Sequence, residues 1–139
     1  YYDNLVVLYL DLNGFKEIND EYGHPVGDEV LKGFSGELVK ICHNSQIGRV
    51  GGDEFATIGW ISRGVSAQDV AEAVKRSLER MSCSVLGGRI KIPYSVTVGY
   101  ASTRNQDVAY GIDDLILAAD MSMYTGKGKP HARKNPRAE

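Results

Sequence analysis

Two cysteines in 139 residues, Cys42 and Cys83, are too few for a disulfide framework and too featureless in spacing for a zinc site. Cys42 falls among apolar residues at helical spacing, which predicts a small buried hydrophobe. Long hydrophobic runs are also missing. Nowhere does the chain approach the roughly 18 successive apolar residues of a transmembrane helix, and no signal peptide is visible. Charge of one sign is nearly balanced by the other. A formal net charge of −2 gives no broad attraction to nucleic acid or membrane, so any polyanionic ligand must be handled by a few placed cations or a metal. No internal repeat, linker or long heptad helix is evident. What remains, at 42% apolar and 24% charged residues, is one domain of ordinary size with a hydrophobic core. It opens abruptly on Tyr1-Tyr2-Asp3, almost inside a strand, and is expected to be cut from a longer protein.

Within that composition one stretch stands out, Arg49-Val50-Gly51-Gly52-Asp53-Glu54-Phe55. Apolar residues flank it: Ile47 and Val50 before, then Phe55, Ala56, Ile58 and Trp60. Two short β-type runs joined through adjacent glycines predict a hairpin, with the glycines supplying positive φ. Asp53 and Glu54 are then expected at its tip, open to solvent and to a divalent cation or a phosphate held through one.

Leu5 to Leu10 is a continuous apolar run, the pattern of a strand buried on both faces, and it ends at Asp11-Leu12-Asn13-Gly14. A short helix from Phe15 to about Glu21 follows, stopping near Gly23-His24-Pro25, and its first-turn amides could take a phosphate. Gly27-Asp28 is expected to open a longer helix with Val30, Leu31, Phe34, Leu38 and Ile41 on its apolar face. After the hairpin, Ser66-x-x-Asp69 predicts the cap of a third helix carrying Val70, Val74, Leu78 and Met81. Leu86 to Arg89 is a turn, Ile90 to Ile92 a short strand, and Tyr94 to Tyr100 a longer one. A polar loop over Thr103 to Tyr110 leads to a fourth helix from Ile112 to about Gly126, with Asp113 as N-cap and Leu115, Ile116, Ala119 and Met123 apolar. The order is β-α-α-β-β-α-β-β-α: an α+β fold, a single sandwich with a mostly antiparallel central sheet flanked by helices. Residues 1–127 form the domain, and the basic tail 128–139 is expected to be disordered.

Asp11 alone is a strand-end carboxylate, and Asp53 and Glu54 alone are turn acids. One helical layer separates that strand from the hairpin, which makes the two sheet neighbours and gathers three carboxylates. Like charges so gathered are costly without a cation, and an all-oxygen set suits Mg²⁺ or Mn²⁺. Asn19, His24 and Asp28 have a bland reading as helix-end, turn and N-cap residues. In the sharper one, a carboxylate accepts from guanine N1–H and N2–H₂ while an amide donates to O6 or N3, a pairing adenine lacks. Lys16 and Lys127 are then the candidate phosphate cations.

Asp11 to Leu31 (D-L-N-G-F-K-E-I-N-D-E-Y-G-H-P-V-G-D-E-V-L), followed by Arg49 to Phe55, resembles the GGDEF domain of diguanylate cyclases. Val96 to Ala101 and Ala119-Asp120-x-x-Met123-Tyr124-x-x-Lys127 resemble that family's later motifs in the same order. The resemblance implies a fold like the polymerase palm and class III nucleotidyl cyclases, and condensation of two GTP to cyclic di-GMP with release of two pyrophosphates across a head-to-head dimer. On that template Asp11, the Leu12 carbonyl and Asp53 ligate two metal ions with Glu54 beside them, and Asp53 or a water it orients is the base. Asn19 and Asp28 match the guanine contacts and His24 a substrate-site position. The Gly14 and Phe15 amides with Lys16 and Lys127 match triphosphate contacts, and Gly51 and Gly52 leave room for the nucleotide. The implied partners are GTP, a second GGDEF domain and a sensory or regulatory domain of the parent chain, with no nucleic acid and no membrane contact. The implied location is the cytoplasm, with any anchor elsewhere in the parent.

Three positions depart from the family pattern. Asn13 stands where a second Asp is usual, Cys42-His43-Asn44-Ser45 replaces an inhibitory Arg-x-x-Asp, and Gly128-Lys129-Pro130-His131 replaces Gly-Arg-Asn after the lysine. An active cyclase and a GTP-binding regulatory module that makes no product are therefore both compatible with the sequence, while a cyclic di-GMP receptor is disfavoured.

Overall fold

A computed structural model describes residues 2–62, 64–103 and 111–127. The expected polar loop lies outside these residues from position 104 to 110, as do Arg63 and the basic tail 128–139. The elements among the described residues are, in order, β1 (Tyr2–Leu12), α1 (Phe15–Tyr22), α2 (His24–Ile41), β2 (Gln46–Arg49), β3 (Glu54–Ser62), α3 (Ala67–Glu79), β4 (Ser82–Val85), β5 (Ile90–Pro93), β6 (Val96–Ser102) and α4 (Ile112–Lys127). The central sheet has the order β2-β3-β1-β6 with every neighbour antiparallel, and β4 and β5 form a separate two-stranded sheet.

The run Leu5 to Leu10 occupies the middle of the sheet because both of its faces are covered. Val6, Leu8 and Leu10 point into a core completed by Val30, Phe34 and Leu38 of α2, Ala71, Val74 and Leu78 of α3, and Phe55. Val7 and Tyr9 point the other way, under Leu115, Ala119 and Met123 of α4. Successive residues of a strand serve opposite layers, so an unbroken apolar run is what two covered faces demand. Within the first of these cores the Phe34 ring lies 5.3 Å from Phe55 and 5.5 Å from Tyr94 between centroids. Gly99 of β6 brings α4 close: a β-carbon there would run into the Ala119 carbonyl. Cys42 is buried as expected, and burial pushes its thiol up to about 11.

Several local expectations are corrected. The strand β4 was not anticipated, because Ser82-Cys83-Ser84-Val85 is only four residues long, half of them serine, and is held by pairing with β5. The helix α2 begins at His24, with Pro25 in its first turn, rather than at Gly27-Asp28. Proline has no N–H to lose in a first turn, so it starts this helix instead of stopping the previous one. His24 is thus helical and Asp28 lies in the second turn, not at the cap. α4 likewise starts before Asp113, and it is the Asp114 carboxylate that accepts from the Gly111 amide at 3.2 Å. The third helix keeps its expected cap, with the Asp69 amide donating to Ser66 Oγ at 3.0 Å.

Candidate active site

Antiparallel pairing sets the C-terminal end of β1 beside the N-terminal end of β3. The register places Asp11 opposite Glu54 and Leu10 opposite Phe55, and Leu12 opposite Val96 on the other side. The Leu12 amide donates to the Asp53 carbonyl at 3.1 Å, which fastens the hairpin tip to the strand end. The expected convergence of the three acids is present: oxygens of Asp11, Asp53 and Glu54 all lie within 4.8 Å of one another. Their environments differ. Asp11 and Glu54 are buried, at 6% and 5% exposure, while Asp53 is half-buried. Glu54 is therefore no solvent-facing tip residue: it is the first residue of β3, and Tyr9 Oη donates to its Oε1 at 3.1 Å.

The two glycines owe their place to something other than turn handedness. Neither is among the positive-φ glycines of the described residues, which are Gly14, Gly23, Gly64, Gly87 and Gly88. Instead the guanidinium of Arg49 shapes the turn. Its Nε donates to the carbonyls of Gly51 and Gly52, both at 3.1 Å, and its Nη2 to that of Gly52 at 2.7 Å. The Glu54 carbonyl accepts from the Val50 and Gly51 amides at 2.9 and 3.3 Å and closes the loop. At Gly51 a β-carbon would press on Glu54 Oε1 at 2.6 Å, whereas Gly52 looks into open space. One glycine makes room for the carboxylate, and the other keeps the outer side clear.

The side chain of Asn13 is engaged by the β5–β6 connection and by β6. Its Nδ2 donates to Ser95 Oγ at 3.2 Å, its Oδ1 accepts from Thr97 Oγ1 at 2.9 Å, and its amide donates to the Ser95 carbonyl at 2.8 Å. α3 holds the start of β6 in turn: Lys75 Nζ donates to the Val96 carbonyl at 2.6 Å and the Val96 amide to Glu79 Oε2 at 3.1 Å. Asn13 thus ties the β1–α1 turn to β6, a task that needs both a donor and an acceptor.

Gly14 caps α1 in a left-handed conformation, φ 75°, which suits glycine there. Lys16 is exposed in the first turn, and Phe15 is half-buried. Asn19, on the inner side of α1, packs on Gly27 of α2 so closely that a β-carbon at position 27 would overlap its Oδ1. That Oδ1 is buried with no hydrogen-bond partner. Asp28, next to Gly27, is exposed, and so is His24 one turn earlier. The backbone of Lys127 ends α4; its side chain lies outside the described residues. A separate cavity of about 510 Å³ opens between α2 and the hairpin arm, lined by Leu31, Ser35, Val39, Ile47, Arg49 and Phe55 among others.

The sequence profile described as "Diguanylate cyclase, GGDEF domain" matches residues 2–133. The chain belongs to the GGDEF family. Among solved structures it resembles the GGDEF domain of YfiN (TpbB) from Pseudomonas aeruginosa, at 30% identity and a TM-score of 0.78 over 96% of this chain and 84% of that one. With that likeness comes the palm-like nucleotidyl cyclase fold. It is 30% identical over 122 residues to the probable diguanylate cyclase DgcT of Escherichia coli K12, covering 87% of this chain and 26% of that protein. It is also 35% identical over 125 residues to the cyclic di-GMP phosphodiesterase PdeR of the same strain, covering 87% of this chain and 18% of that protein. The chain therefore spans about a quarter or less of these two relatives.

Two contributors to this GGDEF site escaped the sequence reading. Arg49 was visible only as part of the motif, since nothing in a sequence tells a carbonyl-binding arginine from a solvated one. Tyr9 carried a signal that went unused: it is the one hydroxyl-bearing residue in an aliphatic run, two positions before Asp11 and so on the same strand face. No helix among the described residues is long and apolar enough to cross a membrane.

Proposed function

We propose that residues 1–127 are the catalytic domain of a diguanylate cyclase, one GTP per domain, working in the cytoplasm with its hairpin facing that of a second copy. The observation that carries the reading is the convergence of Asp11, Asp53 and Glu54 at the hairpin of a GGDEF-family chain. Three carboxylates this close repel one another unless a cation joins them, and an all-oxygen set fits a hard divalent ion. Asp11, Asp53, Glu54 and the Leu12 carbonyl would hold Mg²⁺ or Mn²⁺, two per site. When bound, such ions acidify a 3′-hydroxyl and neutralise charge on the α-phosphate and the departing pyrophosphate.

The chain's own residues then divide the work. Asp53, the less buried acid, takes the 3′-hydroxyl proton directly or through a water it orients. The 3′-oxygen bonds to the α-phosphorus of the second GTP as the bond to the β-phosphate oxygen breaks, and the same exchange on the partner closes the ring. The Gly14 and Phe15 amides, at the positive end of α1, donate to phosphate oxygens, and Lys16 and Lys127 balance the remaining charge. Asp28 accepts from guanine N1–H and N2–H₂. Asn19, its oxygen turned inward against Gly27, presents its NH₂ to O6 or N3, and His24 borders the same pocket. The open side of Gly52 lets the nucleotide lie across the turn.

A second reading has its own support. PdeR, the relative named a cyclic di-GMP phosphodiesterase, shows that this domain occurs within proteins named for the opposite activity. The chain would then bind GTP and regulate a neighbouring domain. Incubating the dimerised protein with GTP and Mn²⁺ and separating the products decides between the two. Cyclic di-GMP is expected; GTP binding without product would establish the regulatory reading.

A further inference from the structure

Tyr9 is among the largest fully buried side chains of the domain, at 1% exposure, and the reaction outlined above leaves it without a task. Its position follows from the sheet. In the antiparallel ladder Tyr9 pairs with Ala56 and Asp11 with Glu54, so Tyr9 and Glu54 are diagonal neighbours on one face. On its other flank Tyr9 pairs with Gly99 of β6, the residue whose missing β-carbon lets α4 settle onto the sheet. The ring is enclosed by Val7, Ala101, Leu115, Ala119 and Met123. A buried phenol needs a partner for its hydroxyl, and here the hydroxyl donates to Glu54 Oε1. A hydrogen bond to a buried carboxylate is directional and stronger than one between neutral groups.

From this we infer that Tyr9 is a positioning residue: its hydroxyl, held rigid by α4, fixes the Glu54 carboxylate so that it joins Asp11 and Asp53 as a preorganised ligand for a divalent cation. The inference rests on the metal reading of the site. Glu54 has three rotatable bonds (χ1 to χ3) between its backbone and its carboxylate oxygens, and the hydroxyl of Tyr9 narrows their range before an ion arrives. Outer partners of metal ligands usually change affinity by roughly 10- to 100-fold.

The test measures Mn²⁺ binding without nucleotide, by the loss of the free-ion electron paramagnetic resonance signal. Wild type is compared with Tyr9→Phe, Tyr94→Phe, Asp53→Ala, Glu54→Gln and the double variant Tyr9→Phe/Glu54→Gln. Tyr94 is a second buried phenol, 4% exposed and packed on Phe34 in the other layer, so its variant controls for loss of a buried hydroxyl. Tyr9→Phe is expected to weaken Mn²⁺ roughly tenfold, and Tyr94→Phe to leave it unchanged. Within the Glu54→Gln background, Tyr9→Phe should cost nothing more, because the pair acts as one unit. Equal weakening in both backgrounds would mean a general loss of packing and would overturn the inference. If Asp53→Ala loses the ion while Tyr9→Phe binds like wild type, the positioning role is refuted and the metal site stands. If wild type binds no better than Asp53→Ala, the metal reading fails and the role of Tyr9 fails with it.

Discussion

Asp11 and Glu54 meet across a strand pair, whereas Asn19 and Asp28 stand on two helices joined by the single residue Gly23. The first pair is buried in the sheet, and its spacing is a consequence of backbone register, which shifts only if the whole ladder slips. The second depends on how α1 packs on α2, where Asn19 and Phe15 close on the buried Gly27. The corner assigned to the ions is thus built into the core, while the seam assigned to the base is set by side-chain fit. Changes at the corner should alter chemistry with little middle ground, and changes at the seam should grade affinity and selectivity.

The strongest way to break that contrast is Asp53→Ala. Loss of several kcal/mol of charge stabilisation should lower turnover by at least about 10³-fold. In the absence of divalent ions the variant should melt no lower than wild type, since one of three mutually repelling charges is gone. Wild-type turnover in that variant would remove Asp53 from the mechanism. At the seam, Asp28→Ser should erode the preference for GTP over ATP by roughly 10- to 100-fold, the value of a hydrogen bond to a charged acceptor. Competition binding measures it, and unchanged selectivity would dismiss the guanine role. Gly27→Ala is a subtler probe. The added methyl displaces the Asn19 amide while raising helix propensity, so GTP affinity should fall about tenfold with Mn²⁺ affinity unaltered.

Smaller effects sharpen the boundary between site and scaffold. Asn13→Ala removes two side-chain hydrogen bonds, one to Ser95 and one to Thr97 of β6, and should cost roughly 1–2 kcal/mol of stability, read by urea melts, with Mn²⁺ affinity retained. Smallest of all is the pH dependence at Cys42. Burial holds its folded thiol at about 11, above the ordinary 9.0, so the unfolded chain ionises first. Stability from this residue is whole below 9.0 and declines as pH rises toward about 11. Cys42→Ala should flatten that part of the pH–stability curve.

Much of this architecture was readable because periodicity records burial. The apolar residues of α2, α3 and α4 were picked out at helical spacing and largely line the two cores. The unbroken run of β1 announced a strand covered on both sides, and the single helical layer between β1 and the hairpin made them neighbours. β4 was missed because its four residues owe their conformation to β5, and the start of α2 because a proline can either end a helix or begin one. In the site, the gathering of Asp11, Asp53 and Glu54 was foreseen, but the positive φ expected of Gly51 and Gly52 is not found. A string of letters carries no φ, and the carbonyl contacts of Arg49 that shape the turn exist only in space.

By itself the sequence determined which residue types were available for chemistry and, through spacing, the elements that carry them. Tertiary structure alone decided how the two acids of the hairpin differ. Asp53 ends the loop and stays partly open, while Glu54 begins a strand whose pleat turns it inward onto the hydroxyl of Tyr9. Adjacent residues of a chain are equivalent until one enters a sheet, where pairing dictates the face each side chain must take.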